Sequence, residues 1–560
     1  MRQNKAAKMQ MINTTTVSLI KGIAIFVIAI LSLTPLATFA LTTSAIDTND
    51  IQLYETFTLK LSNPSISTNK FQTFPQATFT KGTQSFTVEG FFDGDEKGSP
   101  DGTIWKIRFM PNEIGKWNYS WNFNDDKGAG TINVSPQSNH LIRGHVTTSG
   151  RFLKTANGQG FVFFGSNWPD TRRFRINKQD SDKTFISQKD WTKYINRLRE
   201  TKHNGTNMMA LDRLINNDRR SFDLNWINKV DFAITEAGKS GIYIFLGLFN
   251  TWTRNATDSL SSEMLSSKQI LDPWNHNLME EKEFYLRYLS ARFSGYYNIM
   301  WELGNEMEHS PNSGSDFSNL ANQYYIPWLR QYDPYDLPIT LSEGVYKNTN
   351  IDIGGLHQGE SINIDETMPL IHTELVRIKG ANTVLWSGKA CRDPDNRKFY
   401  RKTIWKGFFQ GGSGAIECSL PFSGKKAFTT MTKFLANPEI INVMDDHGKL
   451  ATFISSLKND LTQLHPIQSD VLGTSSALFS ARAKETDEYI AYFYGGLGKG
   501  VSITLNITSD NYLAQWISPT SGQYSAPQNV TGKKLISSPW GNEYDAVLHI
   551  YNSKDSSNNK

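Results

Sequence analysis

The sequence predicts an α/β chain in which a (β/α)8 TIM barrel is flanked by an N-terminal and a C-terminal β-sandwich. Three observations carry this expectation. Short apolar strands alternate with amphipathic helices between about residues 160 and 466, as in a parallel sheet. On either side the chain reads as short alternating strands broken by turns. The 560 residues also exceed what one hydrophobic core holds. The expected boundaries are 1–45 for a leader, 46–145 and 467–560 for the sandwiches, and 146–466 for the barrel.

The leader comes first. Arg2, Lys5, Lys8 and Lys21 give a basic n-region, Gly22 to Leu33 is apolar, and Thr38-Phe39-Ala40 or Thr43-Ser44-Ala45 offers a cleavage site. Cleavage predicts a secreted or cell-envelope protein. Left uncleaved, the segment would be a membrane anchor. From Ile51 to His145, the runs YETFTLKL, QATFT, QSFTVEGFF, TIWKIRFMP, WNYSWNF and GTINVSP read as strands. The acidic stretch Asp93 to Asp101 lacks the spacing of a calcium loop and reads as a solvated turn. This first sandwich is expected to pack on the barrel without supplying a catalytic carboxylate.

Arg143 to Val146 leads into a hairpin turned at Asn157-Gly158. Eight barrel strands are then expected at Phe161–Phe164, Thr206–Leu211, Gly241–Leu248, Ile299–Leu303, Pro338–Leu341, Asp352–Leu356, Pro369–Thr373 and Ala415–Ser419. Helices are expected over Trp191–His203, Phe222–Ser240 and Glu280–Phe293, with Leu450–Leu464 as the last. A barrel of eight takes about 250 residues or more, which Gly160 to Pro466 provides. SALFSARAKE, EYIAYFYG, GVSITLNI, YLAQWISP and DAVLHIYN form the second sandwich, and Lys554 to Lys560 is a polar tail.

Charge excludes one class of partner. The formal net charge is +4, from 58 basic and 54 acidic side chains. Without the four basic residues of the leader the chain is neutral and lacks the positive field that nucleic acid requires. The two cysteines, Cys391 and Cys418, form no metal pattern. They read as two thiols or, after export, as one disulfide. No cofactor or metal is expected, and the chain is expected to be a monomer.

The chemistry centres on YNIMWELGNEMEHS, Tyr297 to Ser310. Its apolar run is too short for an ordinary helix, is interrupted by Glu302, and ends at Gly304-Asn305-Glu306. Glu302 warns of a polar barrel interior. A carboxylate at the C-terminal end of a barrel strand is where such folds keep their chemistry. The Asn305 amide beside it can bind a sugar hydroxyl while Glu306 protonates a leaving oxygen. Glycoside hydrolysis needs a second carboxyl group, and Glu374 stands after the run Pro369–Thr373, read as strand seven. Glu343 and Glu417 compete for that role. Each reads more simply as a strand-end hydrogen bond or a partner for Arg213, with Glu417 the fallback nucleophile. Other strand ends offer sugar contacts: Asn167 and Trp168 after strand one, Arg213 after strand two, Trp252 after strand three, His357 after strand six. Trp386 is placed on the loop after strand seven. For each Trp, core packing competes with a face for the sugar ring. Arg172, Arg173 and Arg175 read either as a solvated loop or as bidentate contacts to an acidic sugar. Zinc-protease, phosphate-loop and dinucleotide motifs are absent, and Gly411 to Ala415 fails the nucleophile-elbow pattern.

These pieces resemble a known family. GFFDGDEKGSPDGTIWKIRFMPNEIGKWNYSW is similar to an N-terminal β-sandwich of uncharacterised function that precedes glycosidase barrels. FFGSNW, GTNMMALDR, MWELGNE and IHTEL resemble the apiosidase-like branch of the large clan of retaining (β/α)8 glycosidases. YLAQWISPTSGQYS resembles the C-terminal sandwich that often closes such proteins. The resemblance implies a retaining hydrolase of polysaccharide or oligosaccharide, with Glu306 as acid/base and Glu374 as nucleophile. A carbohydrate-binding protein on an inert barrel and a polysaccharide lyase are the competing classes.

Overall fold

The computed structural model describes residues 50–553 apart from 150–151, 168–186, 209–213, 251–271, 275, 306, 308–313, 342–348, 358–381, 388–396, 410, 418–430, 459, 468–477, 485–487, 495–500 and 542–544. The N-terminal strands are β1 (Asp50–Gln52), β2 (Phe57–Ser62), β3 (Gln76–Lys81), β4 (Gln84–Gly94), β5 (Ile104–Phe109), β6 (Gly115–Phe123) and β7 (Asp126–Ser135). They form one sheet in the order β1-β7-β6-β3-β4-β5-β2. Alternate residues of β2 and β6 are buried, as a pleated strand with one apolar face requires. β4 serves both halves of this sheet. Its residues up to Glu89 pair with β3, and those from Gly90 pair with β5. A Cβ at Gly90 would lie 2.6 Å from Ile107 and 2.7 Å from the Lys106 carbonyl oxygen, so only glycine allows the change of partner. The sheet closes over an aromatic core in which Phe79 stacks on Phe109 with ring centres 4.0 Å apart. Phe57 and Tyr119 complete it.

A three-stranded sheet of β8 (Val146–Ser149), β9 (Phe152–Thr155) and β10 (Gly160–Phe161) follows. Gly158 has φ +89° in the expected hairpin turn and donates its N–H to the Thr155 carbonyl.

The centre is a closed barrel of eight parallel strands. In chain order its elements are β11 (Phe163–Asn167), α1 (Gln188–Glu200), β12 (Gly205–Met208), α2 (Leu224–Lys239), β13 (Tyr243–Asn250) and α3 (Met279–Phe293). Then come β14 (Ile299–Asn305), α4 (Gly314–Leu320), α5 (Ile326–Tyr332), β15 (Ile339–Leu341), β16 (Ile353–His357) and β17 (Asn382–Ser387). The last are α6 (Arg397–Phe409), β18 (Gly414–Glu417), α7 (Met431–Leu435) and α8 (Pro438–Ser455). β18 pairs back onto β11 and closes the ring.

Three expectations are corrected here. Strand one starts at Phe163, because Gly160 and Phe161 pair with β9 instead. Strand seven is Asn382–Ser387, not Pro369–Thr373. Asn382–Trp386 pairs in parallel with Ile353–His357 on one side, and Val384–Ser387 with Gly414–Glu417 on the other, which fixes it as the strand between β16 and β18. The last α-helix runs Pro438–Ser455 rather than Leu450–Leu464, and a 3-10 turn at Leu461–Gln463 precedes the C-terminal sheet.

That sheet comprises β19 (His465–Ile467), β20 (Leu478–Lys484), β21 (Glu488–Tyr494), β22 (Ser502–Ile517), β23 (Gln528–Ser537) and β24 (Ala546–Asn552), in the order β19-β20-β21-β24-β22-β23. GVSITLNI and YLAQWISP join as the single strand β22, irregular between Ile507 and Tyr512. One face of the sheet packs Ile490, Tyr492, Tyr494 and Val547 against Trp405, Phe408 and Phe409 of α6 and Phe453 of α8. The other face has its own core around Phe493, Leu505, Trp516 and Leu548. Among the described residues no helix is long and apolar enough to cross a membrane.

The β4–β5 half of the N-terminal sheet docks on α2 and α3, as expected of a sheet packed on the barrel. The contact is polar and buried. Arg292 lies 2.7 Å from Asp93 and donates its Nε to Asp231 at 2.9 Å. Arg108 pairs with Asp231 at 2.6 Å, and Arg287 forks onto Glu89 with two bonds of 2.7 Å. Tyr288 donates to the Phe92 carbonyl at 2.8 Å. Asp93 therefore does not belong to a solvated turn: its side chain is 2% exposed. Burial alone would raise its carboxyl, but Arg292, Lys106 and Arg108 together hold it below the usual carboxylate range. Asp95 does behave as a turn residue, accepting the N–H groups of Lys97 and Ser99.

Candidate active site

Because all eight strands are parallel, their C-terminal ends share one rim. Asn167, Met208, Asn250, Asn305, Leu341, His357, Ser387 and Glu417 end the strands. The rim is thus rich in amide, hydroxyl and imidazole-bearing residues, a composition suited to a hydroxylated ligand. Register brings several expected residues together. Asn305 pairs with Asn250 of β13, and His357 pairs with Trp386 of β17. Asn167 pairs with Asn207 of β12. Glu417 lies level with Ser387 on one side and Ser166 on the other.

β14 is held firmly where it approaches the rim. Trp301 donates its indole N–H to Asp333 at 2.9 Å. Burial pushes the Asp333 carboxyl up to about 6, against the pull of that bond and the N–H groups of Tyr335 and Leu337. Since side chains alternate along a strand, Glu302 faces the barrel interior. It is fully buried, level with Gly247 and Thr340, as its interruption of the apolar run foretold. A Cβ on Gly304 would lie 2.5 Å from Met307 Cε, so glycine lets the buried Met307 fold back beneath the strand end. Glu306 is the residue between this strand and Met307.

Several expected residues lie outside the described residues: Glu306 itself, Trp168, Arg213, Trp252, Glu374 and Glu343, as well as Arg172, Arg173, Arg175, Cys391 and Cys418. Two placements are nonetheless corrected. Trp386 is within β17, one residue before its end, not on the following loop. Glu374 does not follow strand seven. In the sequence it stands between β16 and β17. The carboxyl-bearing residue that does end a described strand is Glu417.

Sequence reasoning missed Trp274. It is 7% exposed, packs its ring 6.0 Å from Phe317 of α4, and its indole N–H meets no acceptor among the described residues. It lies on the connection from β13 to α3, on the side of the barrel where the strands end. Asp272 accepts its backbone N–H. The signal was present in the triplet Asp-Pro-Trp but carries no periodicity. Among the described residues no group of three or more His, Cys, Asp or Glu side chains could hold a metal ion.

Residues 155–368 match the cellulase (glycosyl hydrolase family 5) model, and residues 50–124 match a domain of unknown function (DUF5060). No curated protein matches the chain. A candidate glycoside hydrolase from Bacteroides vulgatus is 16% identical, with a TM-score of 0.65 over 90% of this chain and 99% of that one. A family 5 glycoside hydrolase from the same organism is also 16% identical, with a TM-score of 0.53 over 74% and 94%. These likenesses show the fold. The family 5 match over most of the barrel makes the chain a glycoside hydrolase, a carbohydrate-acting enzyme on a TIM-type barrel.

Proposed function

We propose that this glycoside hydrolase cleaves a polysaccharide or oligosaccharide with retention, using Glu306 as the acid/base. The supporting observation is that β14 ends at Asn305, the residue before Glu306 in the sequence, at the rim where parallel barrels hold their reacting groups. Asn305 and its neighbour Asn250 supply amides for substrate hydroxyls beside it. The apiosidase-like specificity, the secreted location given by the leader, the monomeric state and the reading of the two flanking sheets as β-sandwiches belong to this proposal as well.

The nucleophile is Glu374 or Glu417. Glu374 needs its connection to return to the rim. Glu417 already stands at a strand end, in register with Ser387. Retention requires carboxyl groups roughly 5–5.5 Å apart, and inversion about 6.5–9.5 Å. The expected first product has the anomeric form of the substrate, read by proton NMR before it mutarotates. Glu374→Ala or Glu417→Ala, whichever removes the nucleophile, should be reactivated by azide with an inverted glycosyl azide as product. An inverted sugar from the wild-type enzyme rejects the nucleophile role for both.

A further inference from the structure

We propose that His203 and His447 form an acid-sensitive latch between the barrel and α8, so that protonating either ring frees α8 together with the C-terminal sheet packed on it. His203 stands just before β12, and His447 belongs to α8. Their rings stack with centres 4.9 Å apart and planes inclined by 26°. His203 is 3% exposed and His447 is fully buried. Further contacts hold the two elements at this distance. A Cβ on Gly448 would lie 2.9 Å from the Thr201 carbonyl oxygen, so glycine lets α8 come close to the end of α1. Lys202, just after α1, donates to Thr452 of α8 at 2.9 Å. Phe164 of β11 meets His447 with ring centres 6.0 Å apart.

The surroundings suit two neutral rings. The Thr201 hydroxyl donates to the Arg197 carbonyl at 2.8 Å, so His203 Nδ1, 2.9 Å away, donates to that hydroxyl oxygen. The charges on the neighbouring elements are engaged elsewhere. Glu200 pairs with Arg197 at 2.9 Å. Asp446 accepts from Arg397 of α6 at 2.8 Å, and Lys449 lies 3.1 Å from Asp445 and 3.3 Å from Asp446. β11 and β12 carry no charged residue. Lys202 is a cation on a neutral hydroxyl, so it cannot balance an imidazolium either. Burial lowers the His203 imidazole to about 3 against its bond to Thr201, and burial with the neighbouring His203 holds His447 well below its ordinary value.

An imidazole in the unfolded chain takes its proton near about pH 6.5, while the folded rings refuse it until far lower. The pair's contribution to stability is therefore complete above about pH 6.5 and is lost as the pH falls toward the folded values. At pH 5 protonation favours the unfolded state by about 30-fold for each ring, so the pair should cost the folded state about 10³-fold between pH 8 and pH 5. An imidazolium held between α8 and β11 must reach water, and it does so by lifting α8. Phe453 of α8 packs edge-on against His549 of β24 with ring centres 6.1 Å apart, so the C-terminal sheet loses its seat with the helix.

The test is urea unfolding of the full chain at pH 8, 6.5 and 5, followed by tryptophan fluorescence. His447→Phe keeps an aromatic ring on His203 and removes one proton site. Its loss of stability between pH 8 and pH 5, read as the unfolding constant, should be about 30-fold smaller than that of the wild type. His203→Asn should show the same relief. Comparison with the wild type at each pH cancels distant groups such as His145, whose imidazole burial lowers to about 4. At pH 8 both variants should hydrolyse an aryl glycoside at the wild-type rate. Limited proteolysis at pH 5 should cut the wild type first within α8 and the C-terminal sheet, and the His447→Phe chain more slowly. Parallel losses of stability in the wild type and both variants, or first cuts elsewhere, overturn the proposal. If neither variant folds, NMR of histidine-labelled wild type decides. Of its 10 histidines, at least His145, His203 and His447 should keep neutral rings from pH 8 to pH 6, and fewer than three such rings would overturn the latch.

Discussion

Glu306→Gln should lower the rate on an unactivated glycoside by about 10²–10⁴-fold, the usual worth of a general acid. The amide keeps the shape of the side chain and cannot give up the proton. An aryl glycoside with a good leaving group needs little protonation, so its first step should lose much less. The alkaline limb of the kcat/KM profile, which reports ionisation of the acid, should vanish with it. Steady-state rates across a series of aryl leaving groups decide the matter. Equal losses on good and poor leaving groups would show that Glu306 is not the proton donor.

Arg292→Met should destabilise the protein by about 1.5–3 kcal/mol, the worth of a hydrogen bond to a charged group, because both carboxylates it bridges keep another cation. Arg292 is fully buried between Asp93 of the N-terminal sheet and Asp231 of α2. Without it Asp93 keeps Lys106, and Asp231 keeps Arg108 and Tyr296. Methionine retains most of the bulk, so charge rather than volume is tested. Urea unfolding should show the loss, and the double variant with Asp93→Asn should recover part of it. A midpoint equal to that of the wild type would mean that the aromatic contacts alone hold the sheet. The pH dependence has a definite sign. The folded Asp93 carboxyl lies below its unfolded value, which is about 3.9. Its contribution is therefore complete above that value and is lost as the pH falls through the folded one. Wild-type stability should drop on acidification below about pH 4, and Asp93→Asn should flatten that drop.

Much of the barrel was legible because a parallel strand buried on both faces is a short apolar run. Ile299 to Leu303 and Tyr243 to Leu248 have that form, and the strand end at Asn305 followed from it. Strand seven was misplaced for the same reason. Pro369-Leu-Ile-His-Thr is as apolar as Asn-Thr-Val-Leu-Trp-Ser, and periodicity alone could not choose between them. The choice is made by pairing with β16 and β18, which one run's composition does not carry. β23 went unseen because Thr531, Lys533 and Leu535 face solvent, leaving few buried positions to mark a strand. The burial of Asp93 was illegible in principle. Its partner Arg292 is distant in sequence, and nothing near Asp93 distinguishes a solvated acid from a paired one.

That distance has a consequence for how the chain is made. β4 meets α3 through partners 196 and 198 residues further on, as in Phe92 with Tyr288 and Glu89 with Arg287. At about 5–20 residues per second on the ribosome, β4 emerges roughly 10–40 s before α3 exists. Throughout that interval the nascent sheet holds Phe91 and Asp93 out to water, where no guanidinium from α3 can reach them. The N-terminal sheet can fold early on its own aromatic core, but its outer face stays unfinished until just over half the protein has been translated. The same face that fastens the two parts in the finished molecule is, during synthesis, an adhesive surface for passing chains and a natural place for a chaperone to hold.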